Sequence, residues 1–178
     1  MRHGTLERSG DRWTVRFARR LAHPPEKVWR AVTEPGHLAA WYPTSIEGER
    51  AAGAALRFRF PGEDEDAETG EMLVFDPPKA IGFRQGEDVV GIELRPDGDG
   101  TELVFTVTFG EIGRVSRDTA GWHVCLEFLA AHLDGTEPPG DTRSLWEPLN
   151  AHYTAEFGPE SATIGPPGEG SGGDGATG

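Results

Sequence analysis

Apolar and polar residues alternate along several short stretches of this chain, which is the pattern of β-strands with one buried face. Strands are predicted at residues 13–17, 56–60, 71–75, 80–84, 89–95 and 103–109. The segment Asp97-Gly98-Asp99-Gly100, between the last two, has the composition of a tight hairpin turn. Because the connections between these strands are short and rich in turn residues, the sequence predicts an antiparallel sheet.

Four helices are predicted from the spacing of apolar side chains and from prolines in first turns. The double proline at 24–25 ends the first strand and begins one short helix, and Glu-Pro at 34–35 begins a second. A longer helix at 117–133 has a single apolar stripe about 100° wide. A final short helix is predicted to begin at Ser144, which would form a capping box with Glu147.

The order of these elements predicts an α+β domain, with a strand, two short helices, a run of antiparallel strands and then a long helix. A sheet with one apolar face needs a cover, and the long helix has the length to lie across it. Strand twist and bulges would curl the sheet around that helix. We place this domain at residues 12–157, after a flexible N-terminus at 1–11 and before a Gly/Pro-rich acidic tail at 158–178, which we expect to be disordered.

The net charge of −13 argues against nonspecific nucleic-acid binding and against anionic membrane surfaces. No stretch of the sequence has the apolar length of a membrane span, and the polar first residues lack the apolar segment of a signal peptide. We therefore expect a cytoplasmic protein that does not insert into membranes. The acidic run at 63–71 is interpreted as a solvated hairpin loop, because it lacks the spacing of a calcium loop.

Side chains with catalytic or metal-binding chemistry are scattered along the sequence. None of the six histidines has the spacing of a zinc-binding helix. His123 and His132 lie at the margins of the long helix's apolar stripe, where a packing or surface role is the more common one. Cys125 lies on the stripe and is interpreted as a small apolar residue, and as the single cysteine it rules out an internal disulfide. We therefore predict no catalytic residue, no metal ligand and no cofactor.

Several short segments resemble a known superfamily: HPPEKVW at 23–29, TEP at 33–35, LAAW at 38–41, GEM at 70–72, DPP at 76–78 and GW at 121–122. On these segments the chain resembles the SRPBCC superfamily, whose helix-grip fold is shared by START lipid-transfer domains and the birch-pollen allergen. Within it, the chain is similar to the bacterial branch named after the C-terminal domain of the activator of heat-shock-protein-ninety ATPase. The resemblance covers residues 13–133 and implies a curved antiparallel sheet wrapped around a long C-terminal helix.

The resemblance also implies an elongated apolar cavity between the sheet and the long helix. By position, the residues implied to line this cavity and contact a ligand are Trp41, Phe58, Phe60, Phe83, Phe105, Trp122, Cys125, Leu126 and Leu129. A solidly packed core is the alternative, since protein interiors normally contain few voids larger than a water molecule. The number of large aromatic side chains on sheet and helix favours a ligand pocket.

Because this superfamily carries out many activities with one fold, we consider three functions for this chain. The lack of a catalytic cluster in the sequence favours a non-enzymatic carrier or sensor that binds a small lipophilic molecule. A protein-interaction module of the co-chaperone type is the second hypothesis, with an acidic surface that could meet a basic protein partner. A cavity enzyme of the polyketide cyclase or dehydratase type is the third, and it requires an ionisable side chain facing the cavity.

Overall fold

An antiparallel sheet forms the framework of the protein in a computed structural model that describes residues 2–63 and 67–166. Within these residues the strands are β1 (Thr5–Ser9), β2 (Arg12–Leu21), β3 (Ser45–Glu47), β4 (Ala55–Arg59), β5 (Glu68–Asp76), β6 (Ala80–Gln85), β7 (Asp88–Asp97) and β8 (Gly100–Phe109). They form one sheet in the order β1-β2-β8-β7-β6-β5-β4-β3. Every neighbouring pair is antiparallel, and short connections predict this for all of them except β2 and β8, which are far apart in the sequence.

Four helices accompany the sheet in the described part of the chain: α1 (Pro25–Thr33), α2 (Pro35–Leu38), α3 (Val115–Asp134) and α4 (Thr142–Phe157). Single 3-10 turns precede α3 at Ile112–Arg114 and follow α4 at Pro159–Ala162. The eight-stranded sheet with the 20-residue α3 packed on it confirms the predicted α+β helix-grip fold.

Prolines and glycines set most helix ends as predicted. Pro25 and Pro35 occupy first helical positions, where a missing amide hydrogen removes no intrahelical bond. α3 ends at Gly135, whose φ of 67° is the left-handed conformation that favours glycine.

The start of α4 differs from the prediction. The Asp141 carboxylate accepts a hydrogen bond from the Ser144 amide at 3.0 Å and so caps a helix that begins at Thr142. The predicted capping box of Ser144 and Glu147 is therefore wrong, because an aspartate three residues upstream satisfies that amide first. Pro148 consequently lies inside the helix.

Both ends of the predicted domain carry more structure than the sequence analysis assigned. Residues 1–11 are predicted to be flexible, yet Thr5–Ser9 pairs with β2 as an edge strand, and Leu6 packs against the core. In the predicted disordered tail, Ser161 is buried and the Ile164 amide donates to the Gly113 carbonyl at 3.0 Å. Residues 167–178 of that tail lie outside the described residues, as do residues 64–66 of the acidic run.

The hydrophobic core lies between one face of the sheet and helices α1, α3 and α4. Alternate residues of β2 and β8 are buried, including Phe17 and Phe105 at 0% exposure, as the period of two predicts. β5 shifts register between Met72 and Val74, and such an irregularity increases local twist and bends the sheet.

The sheet is wider than any single helix that covers it. Eight strands spaced about 4.8 Å apart span about 34 Å, whereas the 20-residue α3 is about 30 Å long and about 10–12 Å across, so it covers one band of the sheet. α3 packs near β2, α1 packs on β7 and β8, and α2 packs near β3. Several helices and short segments therefore cover the sheet together. Space can remain where two of these covering elements meet.

A buried hydrogen-bond chain ties the N-terminus to both long helices. The fully buried Tyr153 hydroxyl of α4 accepts from the Gly4 amide at 2.8 Å and lies 2.8 Å from His123 Nδ1 of α3. The hydroxyl therefore joins the Gly4 amide to the His123 ring, whose other nitrogen is Nε2. That nitrogen faces Glu127 Oε1 at 3.5 Å, too long for a good hydrogen bond, and the nearby imidazole lowers the pKa of the Glu127 carboxyl.

Replacement of Tyr153 by phenylalanine should lower the free energy of unfolding by about 1–3 kcal/mol, because it leaves a buried amide and a buried ring nitrogen unpaired. Urea unfolding followed by circular dichroism measures the change. Tyr42→Phe is the matched control: its hydroxyl bonds to the half-buried Gln85, which solvent can reach, so a smaller loss is expected. Equal stability of Tyr153→Phe and the unmodified protein would contradict this account of the chain.

Candidate functional site

A cleft of about 1080 Å³ opens beside the N-terminal half of α3. Its other walls are the turn between β6 and β7, the segment at 39–43 that follows α2, and the beginning of α4. It therefore lies where the pieces that cover the sheet meet.

The apolar wall of the cleft comes mainly from α3. The residues of this wall are spaced four and three positions apart, so they share one side of the helix: Gly121, Cys125 and Phe128, with Trp122 beside them. Trp146 of α4 closes the opposite side, and its indole N–H donates to the Arg117 carbonyl at 3.0 Å. That bond fixes the ring at the edge of the cleft.

The floor of the cleft, formed by Trp122, Tyr42 and Trp41, contacts aromatic rings of the core. Trp122 lies 5.2 Å from Phe105 and 5.4 Å from Tyr42 between ring centroids, and Tyr42 lies 6.1 Å from Phe83. Trp41 contacts Tyr42 at 5.4 Å, and its indole N–H donates to the Ala31 carbonyl of α1. These spacings are those of favourable aromatic pairs, so the floor is continuous with the core.

One end of the cleft carries a short chain of polar side chains. The Tyr42 hydroxyl donates to Gln85 Oε1 at 2.7 Å, and Gln85 Nε2 donates to Glu68 Oε2 at 3.1 Å. Burial raises the pKa of Tyr42 well above its usual value, and the charges of Glu68 and Asp88 raise it further. The phenol therefore stays protonated and acts as a hydrogen-bond donor.

Ion pairs lie beside the same turn between β6 and β7, because Asp88 is the cross-strand partner of Gln85. Arg114 binds both oxygens of Asp88, at 2.8 and 2.7 Å, and also binds Asp118 at 2.6 Å. Burial opposes the charge of Arg114, but the hydrogen bonds to these two carboxylates outweigh it and raise the arginine's pKa. Arg117 donates to Asp118 at 2.7 Å. The pairs join the turn between β6 and β7 to the beginning of α3.

The nine residues implied by the resemblance to line a cavity fall into two groups. Trp41, Phe60, Trp122 and Cys125 line the cleft. The others belong to the closed core, where each is at most 3% exposed, and do not line the cleft: Phe58, Phe83, Phe105, Leu126 and Leu129. They are buried because the interior is filled by rings in mutual contact, such as Phe58 and Phe83 at 5.6 Å. The role of all nine in ligand binding stays a prediction.

The sequence analysis missed most of the polar residues of the cleft. Gln85 and Asp88 flank a turn, and nothing in their spacing connects them with Tyr42 or Arg114, which reach them only through the tertiary fold. The helical period could have identified Gly121, because it lies four residues before Cys125 on the same face.

The chemistry available in the cleft is limited. Burial raises the pKa of the Cys125 thiol to about 12, so the side chain is neutral at physiological pH and is a poor nucleophile. Among residues 2–63 and 67–166, no three His, Cys, Asp or Glu side chains are placed to hold a metal ion. In the same residues, no helix has the length and apolar character needed to cross a membrane.

Solved structures share this fold. The conserved protein of unknown function EF2215 from Enterococcus faecalis is 21% identical, with a TM-score of 0.73 over 86% of this chain and 90% of that one. CalU16 from Micromonospora echinospora is 21% identical, with a TM-score of 0.68 over 86% and 96%. The BPP1335 protein from Bordetella parapertussis is 25% identical, with a TM-score of 0.64 over 79% and 84%.

Sequence comparison gives the family directly. No curated protein matches this chain. The family described as Activator of Hsp90 ATPase homolog 1-like protein matches residues 22–134, from the end of β2 to the end of α3. This range contains the wall of the cleft that α3 provides and the polar residues beside the turn between β6 and β7. The chain belongs to the family of Activator of Hsp90 ATPase homolog 1-like proteins.

Proposed function

We propose that this protein binds a small lipophilic molecule in the cleft beside α3. The observation that carries the proposal is a cleft of about 1080 Å³ whose walls include Trp41, Trp122, Trp146, Phe60 and Phe128. Pockets for small organic ligands usually have volumes of about 300–1,000 Å³ and are lined by apolar and aromatic groups with a few polar ones. The site thus has the size and composition of a ligand pocket.

Gly121 contributes to the open space of this cleft. A glycine inside a helix is less stable than alanine by about 0.5–1 kcal/mol, and packing usually explains why one is present. Here a Cβ atom at Gly121 would have no other atom within 4 Å, so packing does not require glycine at this position. What the missing side chain provides is open space in the wall of the cleft.

The size of the ligand follows from the energetics of burial. One aromatic ring that buries about 150 Å² contributes about 4 kcal/mol at about 25 cal/mol per Å². Association itself costs about 4–15 kcal/mol. A single ring therefore gives little net affinity, and we infer a ligand with at least two rings or an equivalent apolar body.

Binding explains the cleft better than catalysis does. Catalysis needs an acid, base or nucleophile that is free to react with the substrate. Asp88 and Asp118 are committed to arginines, and the Cys125 thiol is protonated. Glu63, Glu68 and Glu87 remain as candidate acids or bases for the enzyme hypothesis, and all three are exposed.

Replacement of Gly121 by alanine should raise the free energy of unfolding by about 0.5–1 kcal/mol, because it removes the backbone freedom of a mid-helix glycine without a clash. Urea unfolding measures the difference. A destabilised alanine variant would show that the space around Gly121 is not open in solution.

Replacement of Gly121 by phenylalanine should block the cleft while preserving the fold. The probe is 1-N-phenylnaphthylamine, a neutral molecule in which a phenyl ring is joined to a naphthalene. Its fluorescence rises in apolar surroundings. We expect saturable binding to the unmodified protein, and affinity at least about tenfold weaker in the phenylalanine variant, since a ring fills the site.

Gly121→Ala is the matched control for that experiment and should keep most of the affinity. Circular dichroism and the thermal midpoint verify that both variants are folded. Unchanged probe affinity in a folded Gly121→Phe protein, or no saturable binding of the probe to the unmodified protein, would overturn the proposed function.

A further inference from the structure

We infer that the ligand of this cleft is a lipophilic cation, an amine or quaternary ammonium group carried on an aromatic body. The inference rests on the proposed function and narrows it to a chemical class. It depends on the balance of charge around the cleft and on the arrangement of its aromatic walls.

The charged groups around the cleft are predominantly acidic. Among the described residues, five carboxylates and two guanidinium groups line it, which leaves a formal charge of −3. The carboxylates belong to Glu63, Glu68, Glu87, Asp88 and Asp118, and the guanidinium groups to Arg114 and Arg117. A cleft with low-dielectric walls and one predominant sign of charge concentrates ligands of the opposite sign.

The two arginines offer little to an anionic ligand. Arg114 donates to Asp88 through two nitrogens and also to Asp118, and Arg117 donates to Asp118 and to the Gly165 carbonyl. An anion would have to compete with carboxylates that these guanidinium groups already bind. It would also bring a further negative charge into an acidic cleft.

Two further carboxylates lie beside the same turn as Asp88. In the part of the chain that the structure describes, neither Glu68 nor Glu87 forms a salt bridge. Both lie beside the turn between β6 and β7 and line the cleft. Two carboxylates therefore remain available to a bound cation.

Glu68 is held in place rather than free to turn away. Gln85 donates to its Oε2 at 3.1 Å, and Gln85 is itself fixed by the Tyr42 hydroxyl. The carboxylate also packs directly against Gly86, whose φ of 57° favours glycine and where any side chain would overlap it. A positioned carboxylate loses less entropy when it binds a charged group.

The aromatic walls complement the same charge. Trp122 and Trp146 line the cleft from α3 and α4, and tryptophan is the side chain whose ring face attracts cations most strongly. Phe60 and Phe128 add apolar surface for the body of the ligand. A cationic head over a tryptophan ring face, within the field of the carboxylates, with the aromatic body against Phe60 and Phe128, would satisfy both parts of the cleft.

Three naphthalene derivatives of similar shape test the inference: cationic 1-naphthylmethylamine, neutral 1-naphthalenemethanol and anionic 1-naphthoate. Each displaces 1-N-phenylnaphthylamine from the protein in a competition titration. We expect the cation to bind about tenfold more tightly than the neutral alcohol, with the anion weakest. Its advantage should shrink between about 0.01 and about 1 M salt, as the Debye length falls from about 30 to about 3 Å.

Charge-neutralising variants locate the effect. Glu68→Gln combined with Glu87→Gln should reduce the preference for the cation to about twofold, while affinity for the neutral alcohol is unchanged. Glu7→Gln is the matched control, since Glu7 is exposed on the edge strand β1, far from β6 in the sheet order. It should keep the full preference.

The results of these titrations distinguish a failure of the cation inference from a failure of the proposed function on which it rests. If the neutral alcohol binds as tightly as the cation, or the double variant keeps the cation preference, the inference fails and the lipophilic cleft stands. If none of the three compounds displaces the probe, and the probe itself does not bind, the proposed function fails as well.

Discussion

The structure depends on one geometric constraint: a single helix cannot cover an eight-stranded sheet. α3 covers the region around β2 and β8, where His123 and Trp122 contact Phe17 and Phe105. The rest of the apolar face needs other cover, and α1 and the segment at 39–43 supply it. Tyr42 packs on Phe83, and the cleft is the space that remains between this segment and α3. The site is therefore a direct consequence of how the sheet is closed.

Polar contacts hold the pieces around that space in position. Tyr153 joins α4 to the N-terminus and to His123 of α3, so that α4 is fixed against α3. Arg114 joins α3 to the turn that carries Asp88. Since each contact is at least partly buried, removal of one partner would leave a polar group without compensation. The walls of the cleft are thus preorganised, which lowers the entropic cost of binding a ligand.

Local patterns in the sequence were sufficient for the fold. The alternation at 103–109 predicts β8, and the apolar stripe at 117–133 predicts α3, because each depends on the period of one element. Both edge strands were missed: β1 is exposed along most of its length, and β3 has three residues with one buried, so neither is long and buried enough to produce alternation. Their positions depend on pairing with β2 and β4, which is a tertiary property.

The site was less predictable than the fold for the same physical reason. Apolar character alone does not distinguish Phe83, which is buried in the core, from Phe60, which lines the cleft at 45% exposure. Phe83 is in contact with the Tyr42 ring. That contact could not be predicted locally, because Tyr42 is more than forty positions from Phe83 along the chain. The pairing of Gln85 with Glu68 likewise depends on the register of β5 and β6.

The tryptophans allow the most direct measurement of whether the cleft binds ligands. Of the five in the chain, Trp41, Trp122 and Trp146 line the cleft, whereas Trp13 and Trp29 lie outside it. A ¹H–¹⁵N NMR titration with 1-N-phenylnaphthylamine follows their indole signals, assigned through single Trp→Phe variants. The account predicts that the Trp122 and Trp146 signals shift with one saturable curve while those of Trp13 and Trp29 stay in place. Shifts confined to Trp13 and Trp29, or no saturable shift at any indole, would contradict it.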